Sequence, residues 1–582
     1  MFWQAENKIA IGQTSIAIPS ENNLDHTAGQ KVQFHIPASS EFINPAETYF
    51  KCDCEISIPS GEKTNLQLDA DIGGQVLIKD IRVRTRGGVL LEEIQNYNTL
   101  VSVMYDYNTD DNLRKKRSFT EGSTMQNPLV GCNQGCIQTH KNDVLTNPYF
   151  KREILTTVAD DTLAFKRAKL LLPLHTGIFQ NSKVFPVMLT DGLICEMILE
   201  ENNRVFRQLD TVVEGRNLSS NPMFLNADGA DDTGTIAQDA AITEFYVSPD
   251  VNSVDRVSHF PFRVGETFKF VDYVGATVTN DALVADEITD VAGASFVITG
   301  ITQDTGAGTT QKVKVSITAG AVTGGELDET YVMVSTSTKS GTFAPKYTLS
   351  NLELVVQQLQ MPDGYKSSLM NSMKSGGTMV YDFLSYTNYK FSTLSGENVI
   401  NLRLPLQNSR AKALWCVPTD ATNRNAGNVA SAEPVTNPNY FQYVENQLGY
   451  TALFSDRVGL EGCVDYLSNY QFLYDNKLQP NRKVDCSVTG KKSGISQQPL
   501  IELEKALAMG NIEPRSFRKY NRNFVIGRAL SLGDGVYDTR GKDFSLQLEY
   551  NGEAQKVNKL WCCYCAHIRG LQISGQNISV IL

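Results

Sequence analysis

The chain has 582 residues, enough for two or three domains of β type. Hydrophobic residues make up 41% and charged residues 20%, a balance that supports packed cores and excludes a collagen-like or low-complexity chain. The 53 basic and 64 acidic residues leave a net charge of −11, which excludes a protein whose main task is to coat nucleic acid, while one basic face stays open. The opening Met1-Phe2-Trp3-Gln4-Ala5-Glu6-Asn7-Lys8 shows no basic stretch leading into an apolar run, so no secretory signal is expected. No run approaches the ~18 apolar residues of a membrane helix, so no span is expected.

Taken in chain order, short segments of period two dominate. Val32, Phe34 and Ile36 alternate with Lys31, Gln33 and His35. Cys52, Cys54, Ile56 and Ile58 alternate with Lys51, Asp53, Glu55 and Ser57. The same pattern returns at Leu352, Leu354 and Val356, at Leu402, Leu404 and Leu406, and at Leu546 and Leu548. Each predicts a strand with one face on a core and one toward water. Helices are few. Leu90, Ile94, Tyr97, Val101 and Met104 predict an amphipathic helix over 89–105. A second is predicted from Pro499 to Met509, with Gly510 as its C′ stop, and weaker ones over 365–374 and 463–473.

Residues 264–338 differ from the rest. They carry ten acids against Lys269, Lys312 and Lys314, most of the chain's net charge. Strand-like runs at Phe296-Val297-Ile298, Val313-Lys314-Val315 and Tyr331 to Val334 make this a small acidic β-domain inserted in a larger fold. Asn221 to Asp239 reads as a polar loop leading into it. No Asp-x-Asp-x-Asp-Gly run occurs, so the acids read as a solvated outer surface rather than a calcium loop.

The 11 cysteines are too sparse for a disulfide scaffold and fit a reducing compartment. Cys562, Cys563 and Cys565 precede His567, and Cys132, Cys136 and His140 recur at four-residue steps. Thiolate and imidazole suit zinc, but neither group has paired Cys-x-x-Cys knuckles, and both read as buried or loop thiols. No His-Glu-x-x-His, Gly-x-Ser-x-Gly or phosphate-loop motif occurs. No catalytic, metal or cofactor residue is therefore assigned, and no enzyme is expected. Three basic groups stand out: Arg82, Arg84 and Arg86 on one strand face; Arg114-Lys115-Lys116-Arg117; and Arg515, Arg518, Lys519, Arg522 and Arg528. Each has two readings, contact with DNA phosphates or pairing with the abundant acids within the chain or between subunits. The second group also reads as a nuclear import signal or a solvated loop.

The two halves echo each other. Glu93-Ile94-Gln95-Asn96-Tyr97 is matched by Tyr466-Leu467-Ser468-Asn469-Tyr470, each read as helix. Gly177-Ile178-Phe179 before the strand at Ile194 to Leu199 is matched by Gly535-Val536-Tyr537 before Leu546 to Tyr550. This order predicts a repeated β-sandwich.

With Asp80-Ile81-Arg82-Val83-Arg84-Thr85-Arg86-Gly87-Gly88 running into Leu91-Glu92-Glu93-Ile94, with Leu171-Leu172-Pro173-Leu174 before Gly177-Ile178-Phe179 and Phe185-Pro186, with Leu352 to Val356, with Leu402 to Leu406 before Leu414-Trp415, and with Tyr474 to Arg482 before Asn523 to Asp538, the chain resembles the double-jelly-roll major capsid proteins of eukaryotic double-stranded DNA viruses. The polinton-like viruses and virophages are the nearer likeness, the nucleocytoplasmic large DNA viruses the more distant. The resemblance implies an all-β fold of two tandem eight-stranded jelly rolls with a small inserted β-domain and few short helices. It implies an N-terminal arm over 1–24, carrying Ile9, Ile11, Ile16 and Ile18. A first jelly roll would cover 25–360, interrupted by 213–345 (loop plus the acidic insert with its core at 264–338), and a second 361–582. It implies a homotrimer forming a pseudo-hexagonal capsomer in an icosahedral virion shell. Its partners would be neighbouring capsomers, penton and minor capsid or cement proteins, a host receptor at the outer loops, and DNA on the inner face. The competing readings are a related scaffold absent from the mature particle, a glycan-binding adhesin, and a jelly-roll glycoside hydrolase, which needs two carboxylates across a cleft.

Overall fold

The structure is a computed structural model. It describes residues 10–57, 66–69, 71–110, 113, 116–117, 120–122, 165–205, 346–421, 460, 462, 467–475, 477–486, 497–515, 523–530, 535–550, 558–575 and 577–581, together with the strands that lie between 207 and 335.

The strands of the first lobe are β1 (Gly12–Pro19), β2 (His26–Thr27), β3 (Lys31–Ile36), β4 (Phe42–Ser57), β5 (Leu66–Gln67), β6 (Ile78–Thr85), β7 (Leu90–Ile94), β8 (Phe165–Pro173) and β9 (Leu193–Leu199). Between β9 and the strand that closes the lobe come β10 (Arg207–Gln208), paired with β5, and the insert. The insert's strands are β11 (Met223–Asn226), β12 (Ala241–Pro249), β13 (Thr267–Asp272), β14 (Thr289–Asp290), β15 (Phe296–Asp304), β16 (Lys312–Ala321) and β17 (Tyr331–Ser335), joined in one sheet. The closing strand is β18 (Lys346–Gln360). The second lobe comprises β19 (Thr378–Thr393), β20 (Val399–Leu404), β21 (Ala411–Asp420), β22 (Leu467–Tyr474), β23 (Lys477–Asp485), β24 (Ile526–Ala529), β25 (Phe544–Tyr550), β26 (Lys559–Ser574) and β27 (Asn577–Ile581).

The sheet orders define the fold. In the first lobe they are β1-β18-β4-β8 and β3-β9-β6-β7. In the second they are β19-β26-β21-β24 and β20-β25-β22-β23. With the side strands β2, β5 and β27 left out, eight strands remain in each lobe, and numbered from first to eighth both pairs of sheets read 1-8-3-6 and 2-7-4-5, with every neighbour antiparallel. That is the strand order of two Greek keys closed face to face, so each lobe is a jelly roll and the chain is a double jelly roll. The alternation that predicts the strands is the alternation that fills the cores: Val32, Phe34 and Ile36, Cys52 and Cys54, Leu354 and Val356, Leu402 and Leu404, and Leu546 and Leu548 are all buried. Trp415 and Trp561 are fully buried in the second lobe.

Antiparallel order places alternate connections at opposite ends. The connections 20–30, 58–77, 95–164 and 200–345 all leave one end of the first lobe, and 394–398, 421–466, 486–525 and 551–558 leave the same end of the second. At the other end run 37–41, 86–89 and 174–192, with 405–410, 475–476 and 530–543. Long excursions, the insert among them, are thus gathered at one end.

Five expectations need correction. Gly12–Pro19 is not part of an arm: it pairs along its whole length with β18, and Ile18 packs into the core. Residues 89–105 are not one helix. Leu90–Ile94 is strand β7, Asn96 turns the chain in the left-handed region (φ 51°), and α1 covers only Tyr97–Asn108. β7 is covered on both faces, so its apolar residues lose the period of two that marks a half-exposed strand. The run 463–473 holds no described helix, and Leu467–Tyr474 is β22. Within Asn221–Asp239, Met223–Asn226 is a strand of the insert's sheet, so that sheet begins upstream of 264. A one-turn helix, α2, spans Asn202–Val205, and α3 spans Asp363–Lys374 between the lobes. α4 spans Gln497–Met509; Gly510 is its last turn, and Asn511 (φ 57°) takes the left-handed stop expected of Gly510.

Candidate functional site: the seam between the lobes

The lobes meet through a polar and apolar seam. The first lobe contributes β7, the turn at Gln95-Asn96, α1 and the connection 174–192. The second contributes β19 and β26. Ser385 Oγ donates to Glu92 Oε1 at 2.6 Å, and the same carboxylate accepts the backbone N–H of Gly177 at 2.8 Å and of Ile178 at 3.0 Å. Burial pushes the Glu92 carboxyl up from its ordinary value, opposed by those three hydrogen bonds and by the nearby Arg569 guanidinium. Asn388 Nδ2 donates to the Gln95 carbonyl at 3.0 Å, and Tyr564 OH to the Asn96 carbonyl at 2.7 Å. Asn96 Nδ2 approaches Cys562 Sγ at 3.0 Å. Tyr381 OH donates to the Lys183 carbonyl at 3.0 Å, and its ring meets Phe185 edge-on at 5.0 Å. A Cβ on Gly177 would collide with the Leu384 carbonyl, so only glycine lets the first lobe approach β19 this closely. Further along, Asn523 bridges the lobes, accepting from Tyr107 OH at 2.8 Å through its carbonyl.

The seam uses non-equivalent surfaces of the two lobes, and the repeat shows what is left uncovered. Phe185 forms a two-bond bridge with Ile43 at the start of β4, and Tyr537 forms the same bridge with Ala411 at the start of β21. These residues correspond, so Val536 corresponds to Val184. Val184 is fully buried, whereas Val536 is 45% exposed. Leu478, near the start of β23, is 44% exposed. On the opposite side of the repeat, Ala411 pairs with His567 and His567 with Ser385, while Ile43 pairs with Gln358 and Gln358 with Thr14. Ser385 is buried beneath Glu92; its counterpart Thr14 is exposed. Each chain therefore carries one made seam and the two unmade halves of another. The helical reading of Tyr466–Tyr470 hid this repeat, and the Gly-apolar-aromatic echo placed it six residues out of step, since Phe185 rather than Phe179 matches Tyr537.

The other singled-out residues fall as follows. Cys562, Cys563, Cys565 and His567 lie along β26, a strand, so they do not share one helical face; Cys416 and Cys563 are direct cross-strand neighbours. Among the described residues no group of three or more His, Cys, Asp and Glu is placed to hold a metal. Cys132, Cys136 and His140 lie outside the described residues. Arg82 pairs with Glu93 at 2.9 Å, and Arg84 with Glu196 at 2.7 Å, where Lys31 also binds at 2.7 Å. Arg528 pairs with Glu502 at 2.7 Å, and Arg515 with Glu513 at 3.0 Å. These favour ion pairing over phosphate contact. Arg114, Lys115, Arg518, Lys519 and Arg522 lie outside the described residues. Arg117 is no solvated loop residue: it stacks 3.3 Å from the Tyr105 ring centroid and faces Glu121 at 3.7 Å. Around it Tyr105 OH donates to Glu121 at 2.7 Å and meets His175 Nε2 at 2.7 Å. No sequence signal announced this buried cluster, because its members are drawn from three separate segments.

No family model and no curated protein matches the sequence. Among solved structures, PBCV-1 VP54 fitted into a reconstruction of the virophage Sputnik overlays with a TM-score of 0.46 at 9% identity, across 98% of this chain and 96% of that one. The Faustovirus major capsid protein overlays with a TM-score of 0.45 at 9% identity, across 97% of this chain and 90% of that one. The Sputnik virophage structure from electron cryo-microscopy gives a TM-score of 0.45 at 10% identity, across 100% of this chain and 90% of that one. The strand order and seam described above stand apart from these overlays.

Proposed function

We propose that the chain is a major capsid protein, a structural subunit without catalysis, whose homotrimer forms a pseudo-hexagonal capsomer of an icosahedral virion. One observation carries this reading: two lobes of identical strand order are joined head to tail, and the surfaces needed to repeat that joint are left exposed on both outer sides. Repeating the joint from chain to chain makes a heterologous contact, which closes into a ring when the rotation allows. Six similar lobes from three chains form such a ring. The contact would lay Leu478, Val536 and Tyr537 of one chain on the β1–β18 face of the next, around Thr14.

The rest of the architecture supports the same role. Closed jelly rolls leave few free sheet edges, which suits a protein held at high local concentration. Gathering the long connections and the insert at one end leaves the other compact, as a shell tile with an outer and an inner face requires. We assign 264–338 and its flanks to the outer face, where a receptor would meet them, and the short-connection end to penton, cement or inner-shell partners.

The test is the solution mass of the full chain by light scattering, with electron microscopy of the same peak. The reading expects particles of three times 64.3 kDa with threefold symmetry. A monomer at all concentrations, with no ring in any field, overturns it.

A further inference from the structure

An opening lies at the long-connection end of the seam. It is a cleft of about 190 Å³ lined by Lys79, Asn96, Glu200 and Arg204 from the first lobe and by Lys390 and Leu560 from the second. We propose that this cleft binds a tetrahedral dianion, phosphate or sulfate, free or as a monoester, which ties the two lobes together. The inference does not depend on the assembly above, since a chain that never formed rings would still carry the cleft.

The backbone aims the cations here. Lys79 sits where the pairing of β6 with β9 slips between Ile78 and Asp80, a bulge that re-directs the side chain between them. Asn96, in the left-handed region at φ 51°, is fixed by its N–H to Asp80 Oδ1 at 2.8 Å. The cleft's one carboxylate is already engaged. Glu200 is fully buried, accepts Asn98 Nδ2 at 2.9 Å, and faces Arg204 at 3.8 Å. Lys79 and Lys390 have no ion-pair partner among the described residues. Each lobe thus brings one lysine without an ion-pair partner to the cleft, Lys79 half-buried and Lys390 exposed. A dianion bound there would make charge-assisted contacts with both, with the Arg204 guanidinium as a third donor. The volume takes one tetrahedral oxyanion with its waters or a small ester.

The decisive measurement is lysine labelling of the full-length wild-type protein by an amine reagent, read by mass spectrometry, with and without inorganic phosphate at constant ionic strength. A site of this charge is expected to bind with Kd of about 1 mM and to slow labelling of Lys79 and Lys390 about tenfold at saturation, leaving exposed Lys374 and Lys477 unchanged. Equal slowing of all four lysines, or the same slowing by chloride, means screening only and overturns the site. Glucose 6-phosphate and glucose 6-sulfate in parallel separate the two ester sources. A K79Q/K390Q variant should also lose the saturable rise in Tm with phosphate. If it fails to fold, the wild-type labelling still decides.

Discussion

Ser385 of the second lobe donates its hydroxyl to Glu92 of the first at 2.6 Å, and this bond crosses the seam between two buried residues. Glu92 holds two backbone N–H groups of its own lobe at the same time. Removing the carboxylate strands three buried donors. E92A is expected to destabilise the chain by about 3 kcal/mol, whereas S385A, which removes one of the carboxylate's three donors, costs about 1 kcal/mol. The double variant should cost less than the sum, because Ser385 has nothing to lose once Glu92 is gone. Denaturant titration of the four proteins checks this; strict additivity would contradict a shared bond.

Gly510 ends α4 against the indole of Trp415, where a Cβ would overlap the ring. Tyr386 meets the same indole at a tilt, with ring centroids 5.4 Å apart, and donates to the Gly510 carbonyl at 3.2 Å. G510A therefore overpacks a site with no room and should lower stability by about 1–3 kcal/mol. An alanine at exposed Gly364, with open space around its Cβ position, is the control and should be near neutral. Thermal unfolding of both separates overpacking from a general cost of replacing glycine.

Acid should loosen the fold through its histidines. Burial holds His567 down to about 4 and His175 down to about 3, so both stay neutral in the folded chain while the unfolded chain takes up protons near 6.5. Their contribution is fully present above pH 6.5 and is lost as pH falls toward 4. For His567 alone the loss amounts to about 3 kcal/mol. Glu121 works in the opposite sense. Burial lifts its carboxyl to about 7, so its protonated form favours the folded state and offsets part of the loss between pH 7 and 4.5. H567Q should flatten the acid limb of a stability–pH curve. E121Q should steepen it by removing the offset.

The cysteines should be silent. All eight described cysteines are buried and free, and burial lifts Cys54 and Cys565 to about 12. The thiolate is the reactive form, so these thiols should resist an aromatic disulfide reagent at pH 8 until the chain is unfolded. Rapid native modification of Cys562, Cys563 or Cys565 would mean that the seam opens.

Assembly should depend on both unmade halves of the seam. V536D on one side and T14R on the other each place a charge where a partner must pack. Each variant should keep the monomer's Tm within about 2 °C, as exposed substitutions do, yet lose the trimer peak in light scattering. Loss of trimer by one variant alone would point to a different contact.

Strands were legible because one face of each meets a core and the other meets water. That physics is local, and it marked Lys31 to Ile36 and Lys51 to Ser57 correctly, while at Leu402 to Leu406 it ran two residues past the end of β20 at Leu404. It failed at Leu90–Ile94 and Leu467–Tyr474, where a strand covered on both faces and a short apolar run look the same to any periodicity. The repeat of two sandwiches was legible from the order of segments. Its register was not, because the match of Phe185 with Tyr537 exists only as backbone bonds to Ile43 and Ala411.

The amino-acid sequence by itself determined the all-β class, the acidic composition of the insert and the order of two similar halves, since alternation, charge and turn residues act over a few positions. Tertiary structure alone decided that Glu92 bonds to Ser385, that Lys79 and Lys390 share a cleft, and that Val184 is buried while Val536 is exposed. Those relations join residues hundreds of positions apart, and they follow from which sheet face each lobe presents to the other.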